Sequence, residues 1–275
     1  MVTVATGSEI CYNKKKLKEE QIMGKSEQYI GVFDSGVGGI SVLRRLLEVL
    51  PNEKYLYFGD SINAPYGVRT EEEVRQLTLA AMDRMVKRGI KAFVIACNTA
   101  TSAAQAALQE AYPDIPVIGI EPAIAEGVRL FPNGHVGALA TPGTLKGKRF
   151  LENKARLEGD CRITAIPAPG LMELVEAEKG DSPEAVELLT PLLTPHKDLN
   201  ALALGCTHYP FAEKSVRKVL GDGVMLLDGA VITARQTKQI LEERGLLHEG
   251  SGEVIIENSL PGDRMITLSY KLLNQ

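Results

Sequence analysis

From Tyr29 onward, short apolar runs rich in β-branched and aromatic residues alternate with amphipathic stretches. The runs predict strands at 29–33, 54–58, 92–96, 116–119, 136–140, 162–166, 201–204, 224–227 and 253–256. Between them the apolar positions recur with helical spacing, most clearly over Glu71–Arg88 and Thr99–Ala111. Strands that are apolar at nearly every position are buried on both faces. That is the mark of parallel sheets covered by crossover helices, so the predicted class is α/β with mainly parallel central sheets. In such sheets ligands bind beyond the carboxyl ends of the strands, and the residues just after each strand are where function is sought. Residues 1–28 are polar, only weakly periodic, and read as an extension.

Composition narrows this picture without changing it. The chain has 275 residues, 44% hydrophobic and 24% charged, enough for one large or two moderate globular domains. A net charge of −4 and a pI near 5.7 argue against a nucleic-acid-binding surface. The one basic run, Lys14-Lys15-Lys16-Leu17-Lys18, is followed at once by Glu19-Glu20 and reads as a solvated face or tail. The first 28 residues hold no apolar core of a signal peptide, and no stretch approaches the roughly 18 apolar residues of a membrane span. Cys11, Cys97, Cys161 and Cys206 are scattered, without metal-site spacing. A soluble cytoplasmic protein with reduced thiols and no membrane partner is expected.

Four strand ends carry polar residues: Asp34-Ser35-Gly36-Val37-Gly38-Gly39, Cys97-Asn98-Thr99, Thr141-Pro142-Gly143-Thr144 and Cys206-Thr207-His208. They pair off. The run ending in Ser35 resembles the run ending in Thr141, an offset of 106, and the run ending in Cys97 resembles that ending in Cys206, an offset of 109. Nearly equal offsets suggest an internal repeat. The matched ends agree in kind, hydroxyl with hydroxyl and thiol with thiol. Cys97 and Cys206 are therefore expected to face each other across one site.

A lone cysteine is more often a small buried hydrophobe than a catalyst, and Cys11 and Cys161 are left under that reading. For Cys97 and Cys206 a metal site is poorly supported, since only His208 lies near. A Cys-His hydrolase uses one thiol only, and a disulfide is unusual in a reducing compartment. Two facing thiols do suit inversion of a carbon centre by proton transfer, with a base on one face and an acid on the other. A thiol of reference pKa about 8.5 serves in either role near neutrality once its neighbours tune it. Asp34 and His208 can each assist one thiol. The amides of the turn Ser35–Gly39, ahead of a helix, can receive a carboxylate, although a tight turn without ligand explains it as well.

At these residues the chain resembles the glutamate racemases of the cofactor-independent aspartate/glutamate racemase superfamily. The resemblance runs from about residue 29 to the C-terminus. It rests on Phe33-Asp34-Ser35-Gly36-Val37-Gly38-Gly39, Pro65-Tyr66-Gly67, Cys97-Asn98-Thr99-Ala100, Ala140-Thr141-Pro142-Gly143-Thr144 and Gly205-Cys206-Thr207-His208-Tyr209-Pro210. It implies two pseudo-symmetric α/β domains with the site between them, here 29–123 with 230–275, and 124–229. It also implies interconversion of L- and D-glutamate without pyridoxal phosphate or metal, supplying D-glutamate for peptidoglycan. By analogy Cys97 takes the α-proton of D-glutamate and Cys206 that of L-glutamate, assisted by Asp34 and His208. Asp34, Ser35, Pro65, Tyr66, Gly67, Asn98, Thr99, Thr141, Thr144, Thr207 and His208 would join the two cysteines in binding substrate. The family's auxiliary glutamate corresponds best to Glu176, with Glu173 on the same helix face as the alternative. Some members with an N-terminal extension are activated by UDP-N-acetylmuramoyl-L-alanine, and Leu171–Lys179 resembles that group. A homodimer is left open. Aspartate racemisation and decarboxylation are the nearest rival chemistries, and decarboxylating relatives keep only one of the cysteines. A protein–protein role, reported for some members against DNA gyrase, is the alternative outside catalysis.

Overall fold

The computed structural model describes residues 24–275; Cys11, the Lys14–Lys18 run and nearly all of the predicted extension lie outside the described residues. The chain forms two all-parallel sheets. The first contains β1 (Tyr29–Asp34), β2 (Lys54–Gly59), β3 (Ile90–Ile95), β4 (Val117–Gly119) and β9 (Glu253–Asn258), in the order β4-β3-β1-β2-β9. The second contains β5 (His135–Ala140), β6 (Arg162–Pro167), β7 (Ala201–Leu204) and β8 (Met225–Asp228), in the order β6-β5-β7-β8. Every predicted strand is present, with ends moved by at most two residues. Strands β3, β5 and β7, each flanked by a strand on both sides, are buried at every position, which is why their sequences read as unbroken apolar runs.

The faint repeat has a counterpart in topology. Read from one edge, the first sheet runs β4-β3-β1-β2 and the second β8-β7-β5-β6, the same order of first, second, third and fourth strands, with β9 added beyond β2. The covering helices are α1 (Ile40–Val49), α2 (Glu71–Val86), α3 (Asn98–Ala111), α4 (Ala123–Leu130), α5 (Pro142–Lys146), α6 (Lys148–Leu157), α7 (Leu171–Glu176), α8 (Pro183–Leu193), α9 (Glu213–Leu220), α10 (Ala230–Arg244) and α11 (Arg264–Leu273). Their starts carry local signals. Thr70 and Glu73 form a reciprocal capping box on α2, and Thr141 caps α5 with Pro142 in its first turn.

After the second sheet the chain returns to the first: β9 pairs with β2, α10 packs on α1, and α11 packs on α1 and β9. One apolar cluster runs through both halves, joining Ile40 and Tyr57 to Leu139, Leu204 and Tyr209. Among the described residues no helix is long and apolar enough to cross a membrane.

Candidate active site

A cavity of about 180 Å³ lies where the carboxyl ends of the two sheets meet. Ser35 reaches it from the end of β1, Cys97, Asn98 and Thr99 from β3, Thr141 and Thr144 from β5, and Cys206, Thr207 and His208 from β7. Pro65, Tyr66 and Gly67 come from the loop after β2. That loop is tied down by the buried Tyr66 hydroxyl, which donates to Asp60 at 2.7 Å, while the Asn63 amide donates to the same carboxylate at 3.0 Å.

The two sulfurs have different surroundings. Cys97 is the N-cap of α3: its sulfur accepts from the Ala100 N–H at 3.4 Å, and its thiol donates to Ser35 Oγ at 3.5 Å. Burial, reinforced by the negative charge of Asp34, pushes the Cys97 thiol up to about 12. Cys206 is half-buried, with its sulfur 3.8 Å from His208 Nδ1. The other ring nitrogen, Nε2, lies 3.0 Å from Glu176 Oε1, so sulfur, imidazole and carboxylate form a chain. Burial alone would drive the His208 pKa down, but its hydrogen bonds to Cys206 and Glu176 outweigh burial and hold it up at about 10. An imidazolium beside the sulfur is the surrounding a thiolate needs.

Asp34 and Glu176 stand behind the cavity wall rather than on it. Asp34 is fully buried at the seam between the halves, accepting from the Gly36 N–H at 3.1 Å and from the Thr207 hydroxyl at 3.2 Å. Desolvation raises its pKa despite the nearby His208 charge. This corrects one expectation. The amides of Gly36 and Gly39 turn inward onto Asp34 instead of toward a ligand, because a buried carboxylate requires donors of its own. Only Ser35 of that turn reaches the cavity. The glycines serve close approach instead: a Cβ on Gly38 would lie 2.3 Å from His208 Nδ1 and 2.5 Å from Thr207 Oγ1. Across the cavity, a Cβ on Gly143 would lie 2.2 Å from the Gly67 carbonyl oxygen.

Glu173 lines the cavity whereas Glu176 reaches His208, so the two candidate carboxylates occupy different places. The Thr141 and Thr144 hydroxyls share a 3.0 Å hydrogen bond at the start of α5. Cys161 is off the cavity wall, donating to the Gly134 carbonyl at 2.9 Å. One wall was missed in the sequence: Ala168, Pro169, Gly170 and Met172, following β6. The signal was available, since Pro167-Ala168-Pro169-Gly170 is itself a strand end, but it carries no polar side chain to draw attention. Among the described residues no group of three or more His, Cys, Asp and Glu side chains is placed to hold a metal ion.

Each of the two parallel α/β sheets thus carries a thiol at the end of an equivalent strand, and both thiols line the cavity. Residues 30–237 match the Asp/Glu/Hydantoin racemase family, and the chain belongs to that family of isomerases. A glutamate racemase of Clostridium perfringens (strain SM101 / Type A) is 43% identical over 248 residues, 89% of this chain and 95% of that protein. Among solved structures, a glutamate racemase isoform from Bacillus anthracis superposes with TM-score 0.82 at 32% identity, over 90% of this chain and 94% of that one. The Escherichia coli glutamate racemase, in complex with L-glutamate and the activator UDP-MurNAc-ala, superposes with TM-score 0.77 at 31% identity, covering 89% and 95%.

Proposed function

We propose that the chain interconverts L- and D-glutamate by two-base proton transfer between Cys97 and Cys206. The observation that carries this reading is that both thiols line one small cavity from equivalent strand ends, each with its own polar support. Names of relatives supply the substrate; the cavity supplies the chemistry. Burial holds the proton on Cys97, while the charged His208 stands beside Cys206. In the proposed direction from L- to D-glutamate, Cys206 takes the α-proton and Cys97 delivers one to the opposite face. D-glutamate requires the two roles exchanged.

An amino-acid α-proton is very weakly acidic, so thiolate basicity alone leaves most of the barrier. Preorganised donors at the α-carboxylate and expulsion of water supply the remainder. The hydroxyls of Ser35, Thr99, Thr141 and Thr144, with the Asn98 amide, are the candidate donors, and closure of the two halves over substrate would exclude water. Division of the chain into 29–123 with 230–275, and 124–229, belongs to this proposal and is supported by which strands join which sheet. A role in supplying D-glutamate for cell-wall peptidoglycan, carried out in the cytoplasm, belongs to this proposal and is consistent with the family.

The deciding experiment is incubation with L-glutamate in deuterated water, comparing the chain with Cys97→Ser and Cys206→Ser. The unaltered chain should lose optical activity while exchanging the α-proton, and each variant should all but lose racemisation. Full activity in either variant would overturn the mechanism, and turnover of aspartate alone would move the substrate. Addition of UDP-N-acetylmuramoyl-L-alanine tests activation: an unchanged rate removes that part of the proposal.

A further inference from the structure

A second cavity of about 310 Å³, larger than the first, lies on the other side of a shared wall made by Gly67, Asn98, Thr99, Gly143, Thr144 and Gly205. Neither cysteine reaches it. Its origin is legible in the residues. On this side β5 and β7 offer Ala138, Ala140 and Ala203, and α3 offers Ser102 and Ala103, so small side chains leave the space between sheet and helices unfilled. The floor is apolar and largely buried, with Ile124 and Leu204 both buried and Phe150 half-buried in the cluster that holds Ile124.

One group on this wall is short of partners. Arg149, at the start of α6, has a side chain only 27% exposed. Its Nη1 donates to the Ile120 carbonyl at 2.8 Å, and Nη2 reaches the Glu121 carboxylate only at 4.0 Å. A guanidinium carries five N–H donors in a planar fork matched to a carboxylate. Burial pushes the Arg149 pKa below its usual value, and Glu121 opposes that only in part. Lys146 and Lys148 are exposed on the same lining, and Arg69 stands across from them with Glu71.

We propose that this second cavity binds a small carboxylate with a compact apolar tail, the carboxylate on Arg149 and the tail on Ile124, Phe150 and Leu204. An apolar floor with an underused guanidinium at its edge fits that chemistry: a neutral apolar molecule leaves Arg149 unmatched, and a small polar anion leaves the floor wet. The bound molecule acts on the neighbouring site through the shared wall. Asn98 and Thr99 open α3, Thr144 belongs to α5, and Gly143 lies so close to Gly67 that a Cβ there would meet its carbonyl oxygen. Occupancy therefore shifts the apparent KM for glutamate by no more than about threefold, the same factor by which glutamate shifts the acid's affinity. That consequence rests on the proposed racemase reading, whereas binding itself does not.

The test is calorimetric titration of the full chain with 3-phenylpropionate, using 3-phenylpropanamide as the uncharged control. The acid should bind at least tenfold more tightly than the amide. Arg149→Gln should weaken it about tenfold, and Arg149→Lys, which keeps the charge but loses the fork, should fall between. Saturating glutamate should leave the acid's affinity within about threefold, as should the Cys97→Ser/Cys206→Ser double variant, so binding is read even where no racemisation occurs. If Arg149→Gln does not fold, Ala103→Phe, which fills the cavity from α3, should abolish binding. Equal binding of acid and amide, no binding of either, or stoichiometric displacement of the acid by glutamate would overturn the proposal.

Discussion

The two halves share a strand order and a thiol at the end of the second strand from the same edge, yet they support those thiols by opposite means. In the first half Cys97 is buried under Asp34 and Ser35, and the helix it caps offers it one backbone N–H. In the second half Cys206 is half-exposed and leans on an imidazole that is itself held by Glu176. One support keeps a proton on sulfur; the other places a positive charge beside it. Equivalent strand ends bring two thiols to one cavity, and their neighbours differ: burial holds the proton on Cys97, while a charged imidazole stands beside Cys206. The proposed two-base reaction needs one sulfur as acid and the other as base in each direction, with the roles exchanged in reverse.

The comparison breaks most visibly at the sulfurs. Cys97→Ser and Cys206→Ser should each lower kcat/KM by roughly 10²–10⁴-fold, the span assigned to a positioned acid–base group. Polarimetry on both enantiomers measures this. L- and D-glutamate have equal free energies, so kcat/KM must remain equal in the two directions for every variant. Asymmetry between the half-sites therefore has to be sought in isotope effects. In His208→Asn, removal of the α-deuteron from [2-²H]-L-glutamate by Cys206 should become more rate-limiting than removal from the D enantiomer by Cys97. Equal isotope effects for the two enantiomers in that variant would place His208 outside the Cys206 side.

A second break is steric. Gly38→Ala sets a methyl 2.3 Å from His208 Nδ1 and 2.5 Å from Thr207 Oγ1, so the buried ring beside it must shift. Overpacking of this kind costs about 1–3 kcal/mol, measurable in urea unfolding. Because the displaced ring is the support of Cys206, kcat should fall by more than the stability loss alone accounts for. The corresponding Cys97 support should be untouched.

Much of this contrast was legible in the chain. The apolar runs predicted the strands, β3, β5 and β7 most plainly because buried parallel strands have no polar face to interrupt them, and the thiols stood out because each ended such a run. Two features were hidden. The inward turn of the Gly36 and Gly39 amides depends on Asp34 being sealed between the halves, a consequence of tertiary burial that residue spacing does not carry. The Ala168–Gly170 wall and the second cavity are defined by small and apolar residues, whose meaning lies in the space they leave. Assignment of Glu176 to His208 also awaited geometry, since Glu173 shares its helix face at the level of sequence.

The half-sites should also separate by pH. His208 is held up at about 10 against an ordinary 6.5, so between those values the folded chain keeps a proton that the unfolded chain has released. Its contribution to stability is complete below 6.5 and is lost as pH rises through about 10. Cys97, held up to about 12 against 9.0, has the same sign over the higher window. The Tm should therefore fall as pH rises from 7 to 10, and His208→Asn should flatten that fall. A slope unchanged by the substitution would separate the charge on His208 from the stability of the second half.

The smallest expected effect divides the two carboxylates of α7. Glu176→Gln keeps a side chain able to hydrogen-bond His208 Nε2 but removes the charge that favours imidazolium. A charge-assisted bond is roughly twice as strong as a neutral one, so the loss is about 1 kcal/mol and the fall in kcat somewhat under tenfold. The basic limb of the pH–rate profile should move to lower pH with it, since His208 then releases its proton earlier. Glu173 faces the cavity rather than the imidazole, so Glu173→Gln should leave that limb in place and act on KM, if at all. The limb, rather than the rate, is the discriminating observable: both substitutions remove one negative charge from the same short helix, but only one removes it from the chain that ends on Cys206.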